Sequence, residues 1–96
     1  MKIATEILNQ LGGNKFLAMT GAYNLAAGEN YLIMKLRRNK ANATHLKITL
    51  NSLDLYDVEF FSMRKFEKTV KAEFNGVYND MLVDIFEKTT GLYTKL

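Results

Sequence analysis

Residues 46–61 constrain the fold of this chain more than any other stretch, because two runs of strict apolar/polar alternation meet there across a short polar turn. A period of two puts alternate side chains on opposite faces of an extended strand, whereas a helix would scatter them around its axis. Leu46, Ile48 and Leu50 therefore share one face, with Lys47, Thr49 and Asn51 opposite. Beyond the turn, Tyr56, Val58 and Phe60 oppose Asp57, Glu59 and Phe61. The pattern predicts a β-hairpin whose even-numbered face is buried.

The alternation continues on both sides. Residues 31–37 predict a strand with Leu32, Met34 and Leu36 inward and Tyr31, Ile33, Lys35 and Arg37 outward, running into a polar, basic loop over 38–44 that is longer than a tight hairpin turn. After a connection at Met63 and Arg64, residues 66–74 predict a further strand with Phe66, Val70, Ala72 and Phe74 inward. Residues 15–20 also read as a strand, and 21–30 as a turn-rich connection holding a short strand around Tyr23.

Helical spacing appears at the two ends. Ile3, Ile7, Leu8 and Leu11 fall on one stripe, and Gly12 stands where a residue of positive φ stops a helix. Met81, Leu82, Ile85 and Phe86 mark a second helix, with Asn79 or Asp80 as its cap, an Asp84–Lys88 pair at i,i+4, and Gly91 as its left-handed stop. Leu92 can fold back onto Phe86, and Tyr93 and Leu96 of the tail are expected to dock. The expected architecture is a single α+β domain over 1–96. It is an antiparallel meander sheet of four or five strands, with N- and C-terminal helices packed on one face and the other face open.

At 96 residues the chain is long enough for one core, and with no cysteine that core must hold without disulfides. The lone histidine, His45, leaves the common structural zinc sites without ligands. No apolar run reaches bilayer length, and Glu6 interrupts any signal-peptide core, so a cytoplasmic protein without membrane contact is expected. Nucleophilic catalysis would have to pair a hydroxyl with His45, yet no nucleophile elbow is present. Asp54, Asp57 and Glu59 could in principle gather a divalent cation, but carboxylates on an outer strand face beside Lys47 and the lysines of 65–71 read better as cross-strand charge pairs. Gly12-Gly13-Asn14-Lys15 follows a helix, the reverse of the strand-to-helix order of a phosphate-binding loop. No enzyme activity, metal or cofactor is expected.

Thirteen Lys and Arg against ten Asp and Glu give a net charge of +3, which admits a polyanionic partner. Lys35, Arg37, Arg38, Lys40 and Lys47 cluster in the middle of the chain, with Tyr31 on the same outer strand face. Phosphates bind cations and unstacked bases bind flat aromatic rings, so these residues are candidates for single-stranded nucleic acid. Ile33 and Phe61, also outward by register, are candidates for a protein partner or for self-association as a homo-oligomer.

Several phrases, among them Leu11-Gly12-Gly13-Asn14-Lys15-Phe16, Met19-Thr20-Gly21-Ala22, Asp54-Leu55-Tyr56-Asp57-Val58-Glu59-Phe60, Val77-Tyr78-Asn79-Asp80-Met81-Leu82 and Thr90-Gly91-Leu92-Tyr93-Thr94-Lys95-Leu96, resemble a family of small, functionally uncharacterised bacteriophage and prophage proteins. The resemblance spans nearly the whole chain. It implies a phage-type accessory protein that acts by binding, on nucleic acid or on a host enzyme or defence complex, and it brings no catalytic residue or cofactor with it.

Overall fold

In the computed structural model, which describes residues 2–94, the alternating segments become strands in the order in which they occur. They are β1 (Tyr23–Ala27), β2 (Tyr31–Lys35), β3 (His45–Leu50), β4 (Tyr56–Arg64) and β5 (Glu67–Val77), each antiparallel to its neighbour in one five-stranded meander. Two helices, α1 (Lys2–Leu11) and α2 (Gly13–Thr20), precede the sheet, and a short 3-10 turn (Asn79–Met81) leads into α3 (Leu82–Thr90) after it.

The register lines the core residues up across the sheet, fully buried on β2 to β4 and partly buried on β5. Leu32, Ile48, Val58 and Phe74 form one row, and Met34, Leu46, Phe60 and Ala72 the next. On these rows lie Ala4, Ile7 and Leu11 of α1, Phe16 of α2, and Leu82 and Phe86 of α3, all buried. Phe86 is the centre of this packing: its ring meets Phe16 edge-on at 4.9 Å and Phe60 at 6.3 Å. Edge-to-face contact of this kind adds about 0.5–1.5 kcal/mol to the burial of the rings themselves. Among the described residues no helix is long and apolar enough to cross a membrane.

Residues 15–20 are helical, not extended as their composition suggests. Five of the six can face apolar surroundings, so a two-residue period cannot be distinguished from a helical one over so short a run. The tertiary setting decides: Phe16 and Thr20, one helical turn apart, are the residues α2 buries. Gly12 makes the corner between α1 and α2, with φ 126° and its N–H donating to Leu8 O at 3.1 Å, as expected for a helix stop.

α2 and α3 end in the same way. Thr20 Oγ donates to Phe16 O and Thr90 Oγ to Phe86 O, both at 2.8 Å, and the following glycines, Gly21 and Gly91, take φ 73° and 74°. Each glycine N–H bonds the carbonyl four residues back, and each threonine hydroxyl accepts from the residue after the glycine. The Asp84–Lys88 pair forms at 3.0 Å, whereas neither Asn79 nor Asp80 caps α3 through its side chain, because the 3-10 turn occupies that place. Tyr93 is exposed, Thr94 is anchored to Glu87 at 2.9 Å through its N–H and its hydroxyl, and Leu96 lies outside the described residues.

The last strand departs from its expected facing. A bulge between Phe60 and Phe61 leaves Lys71 as an extra residue, so Val70 pairs with Phe61 and follows it to the outer face. Phe66, expected inward, is in the turn between β4 and β5 and is 103% exposed. β4 itself continues through Met63 and Arg64, which the sequence reading assigns to a connection.

Candidate nucleic-acid interface

The loop over 38–44 is basic by sequence, and a single side chain holds its shape. Asn39, almost fully buried, donates through Nδ2 to Arg37 O at 2.8 Å and Ala43 O at 2.7 Å, while its Oδ1 accepts from Ala41 N at 3.1 Å and Ala43 N at 3.2 Å. All of the amide's bonding groups are used, which is the condition for burying it without loss. The loop is then fixed at both sides. Lys40 N donates to Thr90 O at 2.9 Å, joining it to the end of α3, and Thr44 N donates to Phe61 O at 2.9 Å, joining it to β4. Met63 N also donates to Thr44 Oγ1, at 3.0 Å.

This scaffold gathers three arginines. Arg37 lies over the Tyr23 ring at 4.1 Å and donates from Nε to Gly21 O at 3.1 Å. Gly21 must be glycine twice over: beyond its φ, an added Cβ would sit 2.8 Å from Arg37 Cγ. Arg38 from the loop and Arg64 from the end of β4 line the same groove as Arg37, together with Asn42 and Thr44 and with no carboxylate among the lining residues. Among the described residues none of the three guanidiniums is in a salt bridge. Asn42 and Arg64 also line a second hollow, together with Ser62, Glu67, Thr69 and Lys71 of the hairpin.

The remaining predicted residues are elsewhere. Lys40 is exposed beside Gly91 at the end of α3. Lys35 is exposed on β2, opposite Tyr23 and His45. Lys47 is over the Tyr31 ring, 4.6 Å from its centre, and Gly28 lies against the same ring, so Tyr31 is not a bare stacking platform. Beside Lys47 the outer face carries Asp57, Glu59 and Glu73, a local excess of negative charge that repels phosphate. Lys68 and Glu59 form the expected cross-strand pair, at 2.7 Å. Among the described residues no group of His, Cys, Asp or Glu could hold a metal ion.

Phe61 does not provide the exposed apolar group its register predicts. It is 4% exposed, because the His45 ring stacks on it at 5.1 Å and the Lys68 ammonium sits 4.7 Å from its centre. Ile33 is half-buried between Ala26 and Lys47. The His45 Nδ1 lies 2.7 Å from Thr44 Oγ1, a hydroxyl already bonded to Met63 N and so part of the loop's anchorage. Burial, and then the nearby Lys35 charge, lower the pKa of His45 from its ordinary value of 6.5.

Arg64 is the functional candidate that charge clustering alone misses, since it lies far along the chain from Arg37 and Arg38. The signal for it is the register. His45 pairs with both Lys35 and Phe61, so whatever follows Lys35 and whatever follows Phe61 must lie at the same end of the sheet. No protein-family model, no curated protein and no solved structure matches this chain.

Proposed function

We propose that this chain is a non-enzymatic, phage-type accessory protein of the bacterial cytoplasm that binds single-stranded DNA or RNA through the groove of Arg37, Arg38 and Arg64. The observation that carries this reading is that Arg37 and Arg38 of one segment and Arg64 of another, far along the chain, line one groove with no carboxylate among its lining residues. Arginine's planar fork is matched to phosphate, and its charge persists at any working pH. Asn42 beside the arginines supplies a neutral contact of the kind that positions a sugar-phosphate chain. A protein partner or a second copy of the chain is the alternative occupant, supported by the exposed Met63 and Phe66 at the hairpin end.

Titration of the protein with single-stranded oligonucleotides at several salt concentrations tests the reading. Three phosphate contacts give a slope of about −2 in log K against log salt, an about 20-fold loss of affinity between 50 and 200 mM. Arg37→Glu with Arg38→Glu should abolish binding and flatten the slope. Unchanged affinity in that variant, or oligonucleotide binding that ignores salt, overturns it.

A further inference from the structure

The turn joining β4 to β5 is built against the preferences of its own residues. Lys65 and Phe66 hold φ 48° and 68°, the pairing of a two-residue hairpin turn that Asn-Gly normally fills. Side chains with a Cβ are strained in this left-handed region, and a bulky aromatic more than most. The fold gains no burial in return, because the Phe66 side chain is 103% exposed. A strained, wholly solvated phenylalanine is neither a core residue nor a turn former, and backbone strain of this kind clusters at ligand-binding and active sites.

Its surroundings define what it can be presented to. Arg64 and Lys65 precede it directly, Lys68 lies two residues on, and Arg64 is itself a wall of the arginine groove. Glu67, opposite Arg64 in the ladder, is the carboxylate of the turn region. An apolar protein surface would meet this ring beside the Arg64 and Lys65 cations, the Lys68 ammonium being turned back to Glu59 and the Phe61 ring. A nucleic acid offers the complementary pair: anionic phosphates for the arginines, and an apolar base face for the ring.

We propose that Phe66 is a stacking platform for an unpaired nucleobase, placed so that a strand whose phosphates run along Arg37, Arg38 and Arg64 lays its next base on the hairpin tip. This rests on the nucleic-acid reading above and adds to it the preference for unpaired over paired bases. The ring is solvated on all sides, so substitutions there leave the folded state intact and the effect is read in binding alone.

The experiment titrates wild type, Phe66→Ala and Phe66→Trp with a single-stranded oligonucleotide, with the same strand carrying abasic sites, and with its duplex. Phe66→Ala should bind the single strand at least about 5-fold more weakly, with the salt slope unchanged because no phosphate contact is lost. Phe66→Trp should bind as well as wild type or better. Abasic sites should weaken wild type by the same factor and Phe66→Ala no further, and the duplex should bind less tightly than the single strand. If wild type binds and Phe66→Ala binds equally, the platform is overturned while the arginine groove stands. Tighter binding to duplex overturns the preference for unpaired bases. Absence of oligonucleotide binding by wild type overturns both readings.

Discussion

The two hairpins that share β4 are made differently. In the first, β3–β4, the turn is held by Asn51, whose Oδ1 accepts from Leu53 N at 2.8 Å and Leu55 N at 3.2 Å, and whose Nδ2 donates to Asp57 Oδ1 at 3.2 Å. The residue there with positive φ is Asp54, which tolerates it. In the second, β4–β5, the turn consists of Lys65 and Phe66, both left-handed, and residues 67–71 of its outgoing strand are all exposed. The first hairpin lies under the helices and its sequence serves packing. The second extends past them, and its composition is explained by what it displays.

That contrast can be broken first with two phenylalanines six positions apart. Phe60, fully buried against Phe86 and Phe74, should cost about 3–5 kcal/mol as Phe60→Ala, a large part of the stability of a domain this size. Phe66→Ala should change stability by no more than about 0.5 kcal/mol. Urea denaturation of both measures the difference, and equal losses would mean that the second hairpin is part of the core.

A smaller effect, of opposite sign, sharpens the comparison. Lys65→Asn with Phe66→Gly restores the residues that the turn geometry favours and should stabilise the fold by about 1–2 kcal/mol, raising Tm by several degrees. Oligonucleotide affinity should fall at the same time. A variant that gains stability and keeps full affinity would leave the strained turn without a purpose.

The smallest effect is at the seam of the hairpins, where His45 of β3 stacks on Phe61 of β4. Its folded-state pKa is lowered by burial and by Lys35, so the unfolded chain takes up the proton first. Stability is full above the ordinary value of 6.5 and declines as pH falls through it toward the folded-state pKa. Thermal melts between about pH 8 and 5 should show this decline in wild type and a flatter profile in His45→Gln. Identical profiles would assign the decline to other groups.

Residues 46–61 revealed their hairpin and buried face directly, because every second residue on either side of the turn is apolar. α3 was legible for a second reason, since Asp84, Lys88 and Gly91 mark both of its ends. α2 carries the same ending, Thr20-Gly21 after a buried phenylalanine at i−4, yet its interior of Phe16, Leu17, Ala18 and Met19 has no polar stripe to declare a helical period. The ending was the better signal than the interior. The misplacement of Val70 has another cause: a single-residue bulge reverses the facing of everything beyond it, and nothing local to Lys71 announces one. Arg37 and Arg38 were evident from charge, whereas Arg64 joins them only through the pairing of β3 with both of its neighbours.

The bond from Lys40 N to Thr90 O spans fifty positions of the chain. During synthesis the five strands emerge before the helix that anchors the 38–44 loop. A nascent chain can therefore form its sheet while the loop bearing Arg38 still lacks its partner at the end of α3. The Lys40 end of the loop is thus secured later than its Thr44 end, whose partner Phe61 on β4 emerges first.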